Sequence, residues 1–120
     1  MAATVLLVDD HAGFRAQARA LLTAAGFEVV AEAEDAAGAL GAARGLRPQV
    51  ILLDIQLPDG SGFDVARTIL EGDDPPAVIL IPSRDASDYG TRIRRSGARG
   101  FISKAELSAA AIRALASELG

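Results

Sequence analysis

Short apolar runs alternate with amphipathic stretches along the chain. Thr4–Val8, Phe27–Ala33, Pro48–Asp54, Ala77–Ile81 and Gly100–Ser103 are brief, rich in Val, Ile or Leu, and bordered by Gly, Pro or Asp. They predict strands. The stretches between them, about Ala12–Ala25, Asp35–Gly45, Phe63–Leu70, Ala86–Ser96 and Glu106–Leu119, predict helices. In the last, Ile112, Leu115, Ala116 and Leu119 fall on one helical face, and Ser103-Lys104-Ala105-Glu106 has the form of a capping box that would open it. Gly26 predicts the end of the first helix and Asp35 the N-cap of the second. Runs such as Val50-Ile51-Leu52-Leu53 do not alternate, as expected of strands covered on both faces. Five βα units in series predict one α/β domain over residues 1–120, a doubly wound parallel sheet.

Sheets of this kind bind ligands outside the carboxyl ends of their strands. Asp9-Asp10 follow the first predicted strand, Asp54 ends the third, Pro82-Ser83 follow the fourth and Lys104 follows the fifth. Each alone reads as an ordinary turn or cap residue. Together they place three carboxylates and one ammonium at one edge, where like charges repel unless a cation sits among them. Mg²⁺ suits such oxygen donors. The same set is competent for phosphoryl transfer: Asp54 can attack phosphorus to give an acyl phosphate, while the metal and Lys104 neutralise the phosphoryl oxygens.

Composition narrows the setting. Sixteen acidic residues face twelve basic ones, a net charge of −4, which disfavours direct nucleic-acid binding. There is no cysteine, so disulfides and thiol chemistry are excluded, and a reducing cytoplasmic location is expected. No apolar run approaches the ~20 residues of a membrane span, and the start lacks the basic region of a signal peptide. Lys104 is the only lysine among those twelve basic residues, which suggests a place for a compact, flexible ammonium that arginine cannot fill. His11, the only histidine, reads as a surface group at a helix start. Arg92, Arg94, Arg95 and Arg99 read as a solvated face. Gly60 and Gly62 read as serving the turn into the third helix. A haloacid-dehalogenase-like phosphatase would need a second acid where Gln56 stands. A flavodoxin would need a Ser/Thr/Gly-rich phosphate loop where Asp9-Asp10 stand.

Three motifs carry a resemblance over Thr4 to Leu119. They are Val5-Leu6-Leu7-Val8-Asp9-Asp10-His11, then Val50 through Gly62 with Asp54-Ile55-Gln56-Leu57-Pro58-Asp59-Gly60 at its centre, and Gly97-Ala98-Arg99-Gly100-Phe101-Ile102-Ser103-Lys104. In order and spacing the chain resembles the receiver domains of two-component response regulators, most closely the subgroup that often carries a helix-turn-helix output domain. The resemblance implies a flavodoxin-like five-stranded sheet, order 2-1-3-4-5, with five helices. It implies Asp54 as phosphoacceptor, and Mg²⁺ held by Asp9, Asp10, Asp54 and the Gln56 carbonyl. It implies that Lys104 and the backbone N–H groups of Ile55 and Ser83 meet the phosphoryl group. The donor would be a phosphohistidine on a sensor histidine kinase, and the only reactions catalysed would be the domain's own phosphorylation and dephosphorylation. Helix four, strand five and helix five would face an effector or a second copy. Arg84 and the Gln56 side chain would reach over the pocket mouth.

One departure stands out. The family's Ser/Thr switch position falls on Pro82, which offers neither a hydroxyl nor a backbone N–H. The switch aromatic corresponds to Phe101, which also lacks a hydroxyl. These losses keep open an alternative, a phosphorylation-independent interaction module that retains the acidic pocket.

Overall fold

The three central strands are apolar almost throughout because each feeds two cores. In the computed structural model, which describes residues 3–82 and 90–116, the chain runs β1 (Thr4–Val8), α1 (Ala12–Ala24), β2 (Glu28–Ala33), α2 (Ala36–Leu46) and β3 (Val50–Asp54). A two-strand hairpin, β4 (Gln56–Leu57) and β5 (Gly60–Ser61), leads into α3 (Gly62–Leu70) and β6 (Ala77–Ile81). Then come α4 (Gly90–Arg95), β7 (Gly100–Phe101), a 3-10 turn over Lys104–Glu106 and α5 (Ala109–Ala116). The main sheet is parallel, in the order β2-β1-β3-β6-β7. With the hairpin left out of the count this is the expected 2-1-3-4-5.

Alternation divides each strand between the two layers. Val5, Leu7, Val50, Leu52, Ile79 and Ile81 pack against Ala18 and Leu22 of α1 and Ile112 of α5. Leu6, Val8, Ile51, Leu53, Val78 and Leu80 pack against Ala39 of α2, Phe63 and Ala66 of α3 and Ile93 of α4. No described helix is long and apolar enough to cross a membrane.

Helix ends follow local chemistry, with one correction. Asp35 Oδ1 accepts the Gly38 N–H at 2.7 Å, the expected cap of α2. Asp59, from the hairpin, adds a second: its carboxylate accepts from Ala36 N at 2.6 Å and Ala37 N at 3.1 Å. Gly26 lies just past the C-cap of α1 with φ +92°, a conformation that favours glycine. The predicted capping box does not open α5. Ser103 Oγ donates to Glu106 Oε1 at 2.8 Å, so the hydroxyl is spent on a side chain and no backbone N–H is capped. Leu107 is then extended, and α5 begins at Ala109, with Ser108 Oγ accepting the Ala111 N–H at 3.1 Å.

The last strand is shorter than expected. It ends at Phe101, although Ile102 N still reaches Leu80 O at 2.9 Å. The third strand begins at Val50 rather than Pro48, and the second at Glu28 rather than Phe27. Residues 86–89 of the predicted fourth helix, Ser83, Arg84 and Leu119 lie outside the described residues.

Candidate functional site

Strand alternation aims the charged groups. Asp9 continues the Val5, Leu7 series and Asp54 the Val50, Leu52 series, so both point toward the α1/α5 layer just beyond the last apolar residue. Ile102 is buried in that same layer and Lys104 follows two residues later. The sheet thereby gathers residues 9, 54 and 104 at its carboxyl edge. Asp9 is 1% and Asp54 2% exposed, the only buried charged residues among those described.

Each carboxylate is held by specific partners. Asp9 Oδ1 accepts the His11 backbone N–H at 2.7 Å, and Asp9 Oδ2 lies 2.7 Å from Lys104 Nζ. That contact is an ion pair without hydrogen-bond alignment, and Oδ2 accepts no hydrogen bond among the described residues. Asp54 Oδ1 accepts the Gln56 N–H at 3.3 Å, and Asp54 Oδ2 is 3.6 Å from Lys104 Nζ. The ammonium thus stands between the two buried acids. It also lies 4.8 Å from the centre of the Phe14 ring, which stabilises it from the α1 side. Asp10 is more open, its side chain 38% exposed.

Burial pushes the Asp54 carboxyl above its ordinary range, and the charges of Asp9 and Asp10 add to this. Lys104 and the Gln56 N–H act in the opposite direction, but burial dominates.

A close backbone approach shapes the turn behind Asp54. Gly62 N donates to Ile55 O at 2.6 Å. A Cβ on Gly62 would lie 2.2 Å from the Asp54 carbonyl oxygen and 2.8 Å from Ile55 Cα. Only glycine fits there, so Gly62 does more than turn the chain. Gly60, whose Cβ would meet only the Ala36 methyl at 3.7 Å, carries no such constraint.

Arg15 is a site residue that sequence reasoning missed. Its Nη1 donates to the Asp9 carbonyl at 2.5 Å, and its Nε donates to Glu32 Oε1 at 3.0 Å. Arg19 Nε takes the other Glu32 oxygen at 2.7 Å. Hydrogen bonding from Arg19 holds the Glu32 carboxyl below its ordinary range, with Arg15 adding to the effect. The available signal was position: residue 15 lies one turn into the helix that follows the acid pair. Phe14 was missed for the same reason.

The remaining expected residues divide. Ile55 is buried and Gln56 exposed. Pro82 is buried, and its carbonyl oxygen accepts the Lys104 N–H at 3.4 Å, so it braces the segment that carries the ammonium. Phe101 is 43% exposed, at the end of β7. Arg92, read as part of a solvated face, is exposed but lies over the Phe63 ring at 4.3 Å.

Asp9, Asp10, His11 and Asp54 each offer a donor atom, and these atoms all lie within 4.8 Å of one another. Three carboxylates brought this close together fit a hard divalent cation.

Known proteins resemble this chain in sequence and in fold. The profile of the response regulator receiver domain matches residues 5–116. The response regulator GacA of Pseudomonas aeruginosa is 32% identical over 101 residues, covering 83% of this chain and 47% of GacA. The transcription regulator BvgA of Bordetella pertussis is 33% identical over 102 residues, covering 85% of this chain and 49% of BvgA. The chain therefore spans about half the length of the curated relatives it matches. Among solved structures, a LuxR-family two-component response regulator from Aurantimonas sp. SI85-9A1 superposes with a TM-score of 0.88 at 29% identity, covering 99% of this chain and 86% of that one. With a profile that accounts for nearly every described residue, and relatives above 30% identity on the same stretch, the chain belongs to the receiver domains of two-component response regulators.

Proposed function

We propose that this receiver accepts a phosphoryl group on Asp54 from a phosphohistidine of a sensor histidine kinase, in a Mg²⁺-dependent step. The observation that carries the reading is the buried Asp54 carboxylate, with Lys104 Nζ 3.6 Å from one oxygen and the Gln56 N–H on the other. In the reaction an Asp54 oxygen attacks phosphorus, the P–N bond of the donor breaks, and the imidazole leaves with the electron pair. The product is an acyl phosphate on Asp54. Lys104 neutralises developing charge on the phosphoryl oxygens, joined there by the N–H groups of Ile55 and Ser83. Asp9, Asp10, Asp54 and the Gln56 carbonyl would hold the cation, which when bound supplies further neutralisation of those oxygens. Attack requires the ionised carboxylate, so burial of Asp54 makes phosphorylation weaken as pH falls.

Pro82 supports a second reading, an interaction module that works without phosphorylation, because this buried residue has no hydroxyl to turn toward a phosphoryl group. Intact mass after incubation with acetyl phosphate and Mg²⁺ separates the two. One added phosphoryl group, absent in Asp54→Asn, is expected. No uptake by the unaltered protein would favour the second reading. BvgA is named as a transcription regulator, and a part in transcriptional control belongs to the proposal for this chain as well.

A further inference from the structure

The hairpin after Asp54 carries the Gln56 N–H that meets Asp54 Oδ1 at 3.3 Å, yet its own pairing holds it weakly. Its strands pair Gln56 with Ser61 and Leu57 with Gly60, and a ribbon that short is marginal without outside support. Leu57 is buried in the core and anchors the base. The turn beyond it is exposed, and there Asp59 ties the tip to another element. Its carboxylate accepts from Ala36 N at 2.6 Å and Ala37 N at 3.1 Å, the first two N–H groups of α2, which have no partner inside the helix. These bonds hold the Asp59 carboxyl below its ordinary range, the Ala36 N–H most strongly. The hairpin also sits close on the helix start, where a Cβ on Gly60 would meet the Ala36 methyl at 3.7 Å.

A helix can be capped from its own sequence, as Asp35 caps α2 at the Gly38 N–H. A second carboxylate, 23 residues along the chain from Ala36, does something more: it joins two elements. We propose that Asp59 is a positioning residue for phosphoryl uptake, which docks the hairpin tip on α2 and so keeps the Gln56 N–H aimed at Asp54 Oδ1. The inference rests on the reading of Asp54 as the acceptor. Asp59 touches none of the reacting atoms. Without its tie the hairpin keeps the Leu57 anchor, so the domain stays folded while Gln56 loses its fixed aim and the acceptor carboxylate its single orientation. Misplacement by about 1 Å, caused by a change remote from the chemistry, costs up to about 100-fold in rate.

Asp35 supplies the control that separates positioning from capping. Rates of phosphoryl uptake from acetyl phosphate with saturating Mg²⁺, read by intact mass, are compared at a temperature where circular dichroism shows each protein folded. Asp59→Ala should lower the maximal rate about fivefold or more, with the acetyl phosphate concentration for half the maximal rate within about twofold of the unaltered protein. Asp35→Ala removes a cap from the same helix without touching the hairpin, and should lower Tm while leaving uptake within about twofold. Asp59→Asn keeps one acceptor oxygen and should fall between Asp59→Ala and the unaltered protein; it carries the comparison if Asp59→Ala does not fold. The Gln56 amide resonance should move in the Asp59 variants and stay in place in Asp35→Ala. Undiminished uptake in the Asp59 variants, or an equal slowing in Asp35→Ala, overturns the positioning role and leaves Asp54 as the acceptor. No uptake by the unaltered protein removes the acceptor reading and this inference with it.

Discussion

Replacing Gly62 with alanine adds one methyl group where the start of α3 passes closest to the backbone of Asp54 and Ile55. The new Cβ would sit 2.2 Å from the Asp54 carbonyl oxygen, 2.8 Å from Ile55 Cα and 3.0 Å from the Asp54 carbonyl carbon. All three are main-chain atoms, so no side chain can rotate away. Reaching an ordinary contact of 3.4 Å from the oxygen requires an opening of about 1.2 Å. That movement must come from the end of β3 or the start of α3, whose approach is fixed by the Gly62 N–H bond to Ile55 O at 2.6 Å. Overpacking of a tight site costs about 1–3 kcal/mol or more, and a strained hydrogen bond about 1 kcal/mol. Better helix propensity returns at most about 1 kcal/mol. The expected net loss is about 1–4 kcal/mol, which for a domain of this size lowers Tm by roughly 4–20 °C. Because the displaced atoms belong to Asp54 and Ile55, phosphate uptake should fall along with stability. Gly41→Ala is the matched control: Gly41 lies inside α2 with open space around it, and should gain about 0.5–1 kcal/mol. Urea unfolding of both variants measures the contrast. A Gly62→Ala protein within about 0.5 kcal/mol of the unaltered one would refute the argument.

Three further outcomes are expected. Because burial raises the Asp54 pKa, ionising it costs folding free energy, so Asp54→Asn should raise Tm near neutral pH; the gain should shrink as pH falls through the raised value toward the ordinary 3.8, and a gain independent of pH would point to another cause. Metal titration should show much weaker Mg²⁺ binding in Asp10→Ala, and unchanged or tighter binding in Lys104→Ala, since the ammonium 2.7 Å from Asp9 Oδ2 opposes a second cation; the reverse ranking would contradict this electrostatic account. Pro82 lacks a hydroxyl whose bond to a charged phosphoryl group is worth about 1.5–3 kcal/mol, as large as a typical switching free energy of about 1–3 kcal/mol. Beryllofluoride should therefore change amide exchange over residues 90–104 only slightly in the unaltered protein and more in Pro82→Thr; a large change already present before substitution would defeat the idea.

The sheet and its charged edge were legible because they rest on the simplest signals. β1 and β6 were read to the residue, since a short apolar run ending in Asp or Pro has few other meanings. Asp9, Asp54 and Lys104 follow from strand ends alone, and distances of 2.7 and 3.6 Å bring them together as that reading requires. What stayed hidden involves partners that no local pattern links. The β4–β5 hairpin has two residues per strand, too few for any period to emerge. Asp59 caps a helix more than twenty residues earlier, and Gly62 is obligatory because of where the backbone of Asp54 passes. The Ser103–Glu106 box was a sound local pattern whose two side chains satisfied each other instead of the helix.

Arg15 has a consequence for anyone recombining this domain. One guanidinium grips the Asp9 carbonyl and, through Nε, the Glu32 carboxylate on edge strand β2, where Arg19 completes the clasp. A chimera that imports α1 from a relative would leave Glu32 facing a foreign surface and the acid loop without its tether. The smallest transplantable piece is therefore β1, α1 and β2 taken together. Crossover points are better placed after Ala33 than between α1 and β2.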